Sequence, residues 1–98
     1  MLFHVTWEFT DESEESQQRS LALFSKWQPP AGSDFKEFYG FVDGSGGVAI
    51  VEVDSFATLG RAIAPFTSWM RFTTIPIVPI EESAGIAAEA LAWRDSVS

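Results

Sequence analysis

The 98-residue chain contains no cysteine and no asparagine, a single histidine, and 6 basic residues against 14 acidic ones. Without cysteine there are no disulfides, no thiolate metal sites and no cysteine nucleophile, which is compatible with a reducing compartment. One histidine excludes metal sites that need several. The formal net charge of −8 argues against nucleic acid and anionic membranes as partners, because both attract clustered Lys and Arg.

Long apolar runs are also missing. No uncharged stretch approaches the roughly 18 residues of a membrane-spanning helix, and the opening Met1 to Glu8 lacks the cationic segment of a signal peptide. We therefore predict a soluble, cytoplasmic protein. Hydrophobic residues make up 46% of the chain, enough for a core, and we expect one domain over residues 1–98, with a body of 1–79 and a terminal helix.

The apolar patterns predict the order β-α-β-β-α-β plus a final helix. Residues 2–9 alternate as a half-buried strand does, and Asp54-Ser55 is typical of a helix start. Asp11, three residues before Glu14, indicates the first helix start. Predicted strands cover 2–9, 35–42, 48–53 and 71–78, and predicted helices cover 12–27, 56–66 and 81–95.

This order predicts an α+β fold with ferredoxin-like topology, in which two helices cover one face of a four-stranded antiparallel sheet. If Phe3, Val5 and Trp7 face the helices, the opposite face carries apolar residues from the neighbouring strands. Because large apolar surfaces are seldom left open to water, we expect a second copy to cover it, giving a homodimer. The final helix suits packing on either subunit.

Three stretches, residues 4–8, 28–32 and 43–52, make the chain resemble the dimeric α/β-barrel superfamily and, within it, a short bacterial family of unknown function. The resemblance covers nearly the whole chain and implies two subunits whose sheets close around a shared interior. Other branches of the superfamily include cofactor-independent oxygenases, isomerases, lyases, stress-response barrels and haem enzymes. Fold alone cannot choose among these activities.

His4 and Glu52 are the candidate catalytic residues. His4 is the one side chain that ordinarily titrates near neutrality, and Glu52 is expected across from it on the sheet face opposite the helices. Such a pair can act as a general base, but a structural pair that satisfies its own hydrogen bonds is the favoured interpretation. Haem is disfavoured, because haem-degrading relatives share an active-site asparagine that this chain lacks. We expect no cofactor and no metal.

Aromatic residues supply the second candidate site. Trp69 and Phe72 lie where the second helix gives way to the fourth strand, Tyr39 would add a hydroxyl, and Thr6 shares the face of His4. The glycine-rich segment 43–47 leads into a strand, which indicates a hairpin turn and not a phosphate-binding loop. The acidic residues 11–15 indicate a helix start and not a calcium loop.

Three functions remain open at this point. The leading one is a homodimer that binds a compact apolar molecule between sheet and helices. The alternatives are a cofactor-independent oxygenase or isomerase that uses His4 as a base, and a structural or protein-interaction dimer whose interior is filled by its own side chains. Pocket volume distinguishes the third from the first two.

Overall fold

The computed structural model describes residues 1–97, which form one four-stranded sheet, three α-helices and one short 3-10 helix. The observed order is the predicted one, and the α+β fold is confirmed. No helix in the described part of the chain has the length and apolar character needed to span a bilayer. The elements are β1 (Leu2–Phe9), α1 (Glu14–Lys26), β2 (Ser33–Gly40), β3 (Gly46–Val53), α2 (Phe56–Ile63), the 3-10 turn Ala64–Phe66, β4 (Met70–Ile77) and α3 (Ile80–Ser96).

All pairings in the sheet are antiparallel, in the order β2-β3-β1-β4. β1 occupies an interior position between β3 and β4, as ferredoxin-like topology requires. Its alternation works as predicted: Phe3 and Val5 are buried on the helix side, together with Ala49, Val51 and Val53 of β3. Leu59 of α2 closes this core from above.

The two first helices are capped by serines. Ser55 Oγ accepts a hydrogen bond from the Thr58 amide at 3.2 Å, as predicted for the start of α2. In α1 the cap is Ser13, so the helix begins two residues later than predicted. Asp11 instead accepts hydrogen bonds from the Ser13 amide at 2.9 Å and the Ser16 hydroxyl at 2.5 Å, which lower the pKa of its carboxyl.

A register shift in β2 determines where its aromatic residues point. Phe35 pairs with Val51 and Phe38 with Ala49, so one extra residue, Lys36, bulges out between them. Strict alternation would put residues three apart on opposite faces, but the bulge returns both phenylalanines to the helix side. Their ring centroids are 5.1 Å apart.

The hairpin turn is shaped by glycine, as predicted. Gly44 has a φ of 78°, in the left-handed region, and its amide donates to the Phe41 carbonyl at 3.0 Å. Gly47, two positions into the next strand, has a different role. A Cβ at Gly47 would collide with the Trp7 indole, which lies across it on the helix side. The glycine therefore makes room for the tryptophan.

Candidate functional site

A cavity of about 370 Å³ lies between the sheet and the helices α1 and α2. Its volume falls within the range of roughly 300 to 1,000 Å³ that is typical of small-molecule pockets. None of the described residues that line it carries a charge. They are Val5, Trp7, Phe9, Ser20, Leu21, Phe24, Trp27, Phe35, Phe38, Tyr39, Gly40, Ala49, Ala62, Ile63, Phe66, Met70 and Phe72.

Aromatic rings brace one another around this cavity. The Trp27 indole lies edge to face against Phe35 at 5.4 Å and against Phe66 at 6.1 Å between centroids, and it stacks on Phe24 at 5.8 Å. Trp7 meets Phe38 edge to face at 5.6 Å. Such contacts hold rings in fixed orientations, so the wall presents both faces and edges of π systems to a ligand.

The polar groups of the cavity are few. Ser20 of α1 is only 5% exposed, and its hydroxyl finds no hydrogen-bond partner among the described residues. Every side-chain oxygen or nitrogen of the described residues that is fully shielded from solvent has a hydrogen-bond partner. Because the Ser20 hydroxyl has none, it is not fully shielded and is accessible from the cavity that it lines. The Tyr39 hydroxyl does not belong to them, because Tyr39 pairs with Val48 of the open face and its hydroxyl donates to Glu37 at 2.5 Å. That bond raises the pKa of Tyr39.

His4 and Glu52 lie on the opposite, open face of the sheet. The register pairs His4 with Ile50 and Leu2 with Glu52, so the two residues are diagonal neighbours. Antiparallel diagonal neighbours are about 7 to 8 Å apart, and no hydrogen bond joins these two side chains. The Glu52 carboxylate accepts one from the Met1 amino group at 2.8 Å instead. Proton removal by this pair therefore stays a prediction.

The predicted ligand-binding residues are divided among three places. Phe72 lines the cavity from the helix side, and Tyr39 borders the cavity although its register partner, Val48, lies on the open face. Thr6 lies on the open face between Val48 and Thr73. Trp69 lies outside the cavity, beside a shallow groove that it shares with Glu15 and Arg19 of α1. Of the four, Phe72 alone has its register position on the helix side, across from Trp7.

Sequence reasoning did not assign Ser20 and Trp27 to the site. A usable signal was present, because Ser20, Phe24 and Trp27 follow one another at spacings of four and three and share one face of α1. A serine on an otherwise aromatic helix face indicates a polar group inside an apolar site. The described residues contain no cluster of three or more His, Asp or Glu side chains that could hold a metal ion.

The sheet order and the partly open apolar cavity define an α+β protein of ferredoxin-like topology with a space suited to uncharged molecules. The family model "Domain of unknown function (DUF3303)" matches residues 1–91, and the chain belongs to that family. A search of proteins with curated functions gave no match.

Proposed function

We propose that this protein is a small homodimeric α/β-barrel protein that binds a compact, uncharged aromatic molecule in the cavity between its sheet and helices. The observation that carries the proposal is the cavity of about 370 Å³, whose walls are aromatic and without charge. We keep the cytoplasmic location predicted from the sequence, which cell fractionation tests.

The walls limit the class of ligand. A charged group would lose its hydration without gaining a counter-ion, which costs several kcal/mol, so the ligand is neutral. Ser20 offers one free hydroxyl at the inner face of α1, so the best ligand carries one hydrogen-bonding group. A planar aromatic ring suits these walls, because it can stack on or meet edge to face the indoles of Trp7 and Trp27, both of which line the space.

The open face of the sheet supports the dimer. Its strands bring Leu2, Val48, Ile50, Ile75 and Ile77 to one surface, and Ile75 is 50% exposed. A surface of this kind on a soluble chain is usually an interface, and a twofold arrangement covers both copies at once. Light scattering at micromolar concentration is expected to give twice the mass of the chain. A stable monomer would contradict the dimer.

Ligand binding can be tested with N-phenyl-1-naphthylamine, a neutral aromatic amine whose fluorescence rises in apolar surroundings. Bound dye is expected to quench tryptophan emission by energy transfer from Trp7 and Trp27. An efficiency of about 0.3 kcal/mol per heavy atom gives about 5 kcal/mol for this probe, a dissociation constant of a few tenths of a millimolar.

Two variants of α1 form a matched pair for this test. Ser20→Phe places a ring inside the cavity, and Ser25→Phe places the same ring on the exposed side of the same helix. We expect Ser20→Phe to weaken dye binding by about tenfold or more and Ser25→Phe to change it by less than about twofold. Equal effects of the two variants, or no saturable binding to the unchanged protein, would contradict the proposal. Circular dichroism checks that both variants fold.

A further inference from the structure

The final helix, α3, is the least embedded element of the structure. None of its residues Ile80–Ser96 is buried, and Ile80 and Trp93 are 75% and 68% exposed. The molecule measures 61 × 29 × 20 Å with a radius of gyration of 17.6 Å. A compact chain of this length has a radius of about 13 Å. The helix therefore extends away from the body of the protein.

The large apolar and the acidic side chains of α3 lie on opposite halves of the helix. At about 100° per residue, Ile80, Ile86, Leu91 and Trp93 fall within one half of its circumference, the apolar half, together with Ala84, Ala87 and Ala90. Ser83 and Arg94 lie near the middle of this half, where the long Arg94 side chain can reach water from the last turn. The other half, the acidic half, holds Glu81, Glu82, Glu89 and Asp95, with Ala88 and Ala92 between them. Exposed large apolar side chains on one half of a helix are typical of a helix that packs against protein.

On its own, α3 has little to stabilise it. Pro79 at its start provides no side-chain cap, and Gly85 lies within the helix. A central glycine costs about 1 kcal/mol relative to alanine, and isolated helices of about 15 residues are marginal in water. Most helices of this length gain their stability from an apolar face packed against a partner.

We propose that α3 is an arm that packs through its apolar half on a second copy of this chain. The proposal rests on the dimer of the proposed function and adds to it the position of α3 in that dimer. Only Val78 and Pro79 separate β4 from α3, and Pro79 has its φ fixed at −54° by its ring. Because this connection is short and its conformation is restricted, it opposes packing of α3 on its own domain and favours packing on a second copy of the chain.

The area of the arm suits a dimer. A helix of 17 residues is about 25 Å long and about 10 Å across, with a lateral surface of about 800 Å². Covering the apolar half buries about 400 Å² on the arm and a similar area on its partner. Two arms in a twofold dimer then remove about 1,600 Å² from water, the size of a standard stable interface.

Hydrogen–deuterium exchange of the full chain tests the arm, measured at several protein concentrations alongside light scattering. Residues 80–96 are expected to be protected in the dimer and to lose that protection on dilution, as the mass falls to that of a monomer. Protection that persists in the monomer would show that α3 packs on its own domain and would overturn the inference. A dimer in which α3 exchanges rapidly would overturn the arm and leave the proposed dimer standing.

Ala87→Glu and Ala92→Glu provide a matched pair on the arm. Ala87 lies in the apolar half and Ala92 in the acidic half, so the same charge is added on opposite sides of the helix. We expect Ala87→Glu to weaken dimerisation by about tenfold or more, because no basic residue lies three or four positions from it and its carboxylate would be buried without a partner, and Ala92→Glu to change it by less than about threefold. Equal effects would overturn the inference.

Discussion

Replacing Val51 with alanine is expected to destabilise the protein strongly, because this side chain lies at the centre of the sheet. It is fully buried on the helix side, and its register partners are Phe3 on one neighbouring strand and Phe35 on the other. Removing two buried methyl groups costs about 1.6 kcal/mol in transfer free energy. The space left behind adds to this, for a total of about 2 to 3 kcal/mol.

Urea unfolding measures this loss directly. With an m-value of about 1.5 kcal/mol/M, the midpoint is expected to fall by about 1.3 to 2 M while the slope stays constant. Val48→Ala is the matched control, since Val48 lies on the same strand but on the open face, where it is half-buried. In the monomer, we expect Val48→Ala to lower the free energy of unfolding by about 1 kcal/mol or less. If Val51→Ala and Val48→Ala lower the free energy of unfolding equally, the core is not confined to the helix side of the sheet and the reasoning is refuted.

Two further predictions concern Trp7 and Asp11. Gly47→Ala should lower the free energy of unfolding by about 1 to 3 kcal/mol and weaken dye binding, because its Cβ would displace the Trp7 indole. The control Gly60→Ala places its Cβ in open space in α2 and should raise the free energy of unfolding by up to about 1 kcal/mol. Thermal unfolding distinguishes the two variants. Ser16→Ala should bring the lowered pKa of Asp11 back towards 3.8, as followed by NMR titration, and an unchanged pKa would mean that the hydroxyl contributes nothing. Because the pKa of Asp11 is lowered in the folded state, its contribution to stability is present above 3.8 and is lost as the pH falls through the folded-state value.

The face that β1 presents to the helices could be predicted from alternation, because Phe3 and Val5 are buried, whereas His4 between them and Thr6 after them are only half-buried. The exact start of α1 could not. Asp11 and Ser13 are both good caps, and the choice depends on which one the three-dimensional path lets reach a free amide. Ser13 caps the helix, and Asp11 binds the Ser13 amide from outside it.

The cavity was harder to predict than the fold, and the reason lies in β2. Alternation alone does not decide which face its aromatic residues take, and the bulge at Lys36 turns both Phe35 and Phe38 towards the helices. A bulge adds one unpaired residue and leaves no distinctive mark in the sequence. Phe72 likewise lies on the helix side, paired across from Trp7. The cavity therefore contains Phe72, which the sequence predicted as a ligand-binding residue, together with Phe35 and Phe38, which it did not assign to a site.

The two candidate sites are on opposite faces of one sheet, and they depend on different parts of the assembly. The aromatic cavity is lined by residues of α1, α2 and the sheet of a single chain and is open on one side, so dye binding can occur in a monomer. His4 and Thr6 face the other way, beside Ile50 and Ile75, and are half-buried in one chain. Chemistry at His4 would need an interior that excludes water, which only a covering partner can provide. The oligomeric state therefore decides whether the general-base hypothesis has a site at all, whereas the cavity binds or fails to bind independently of it.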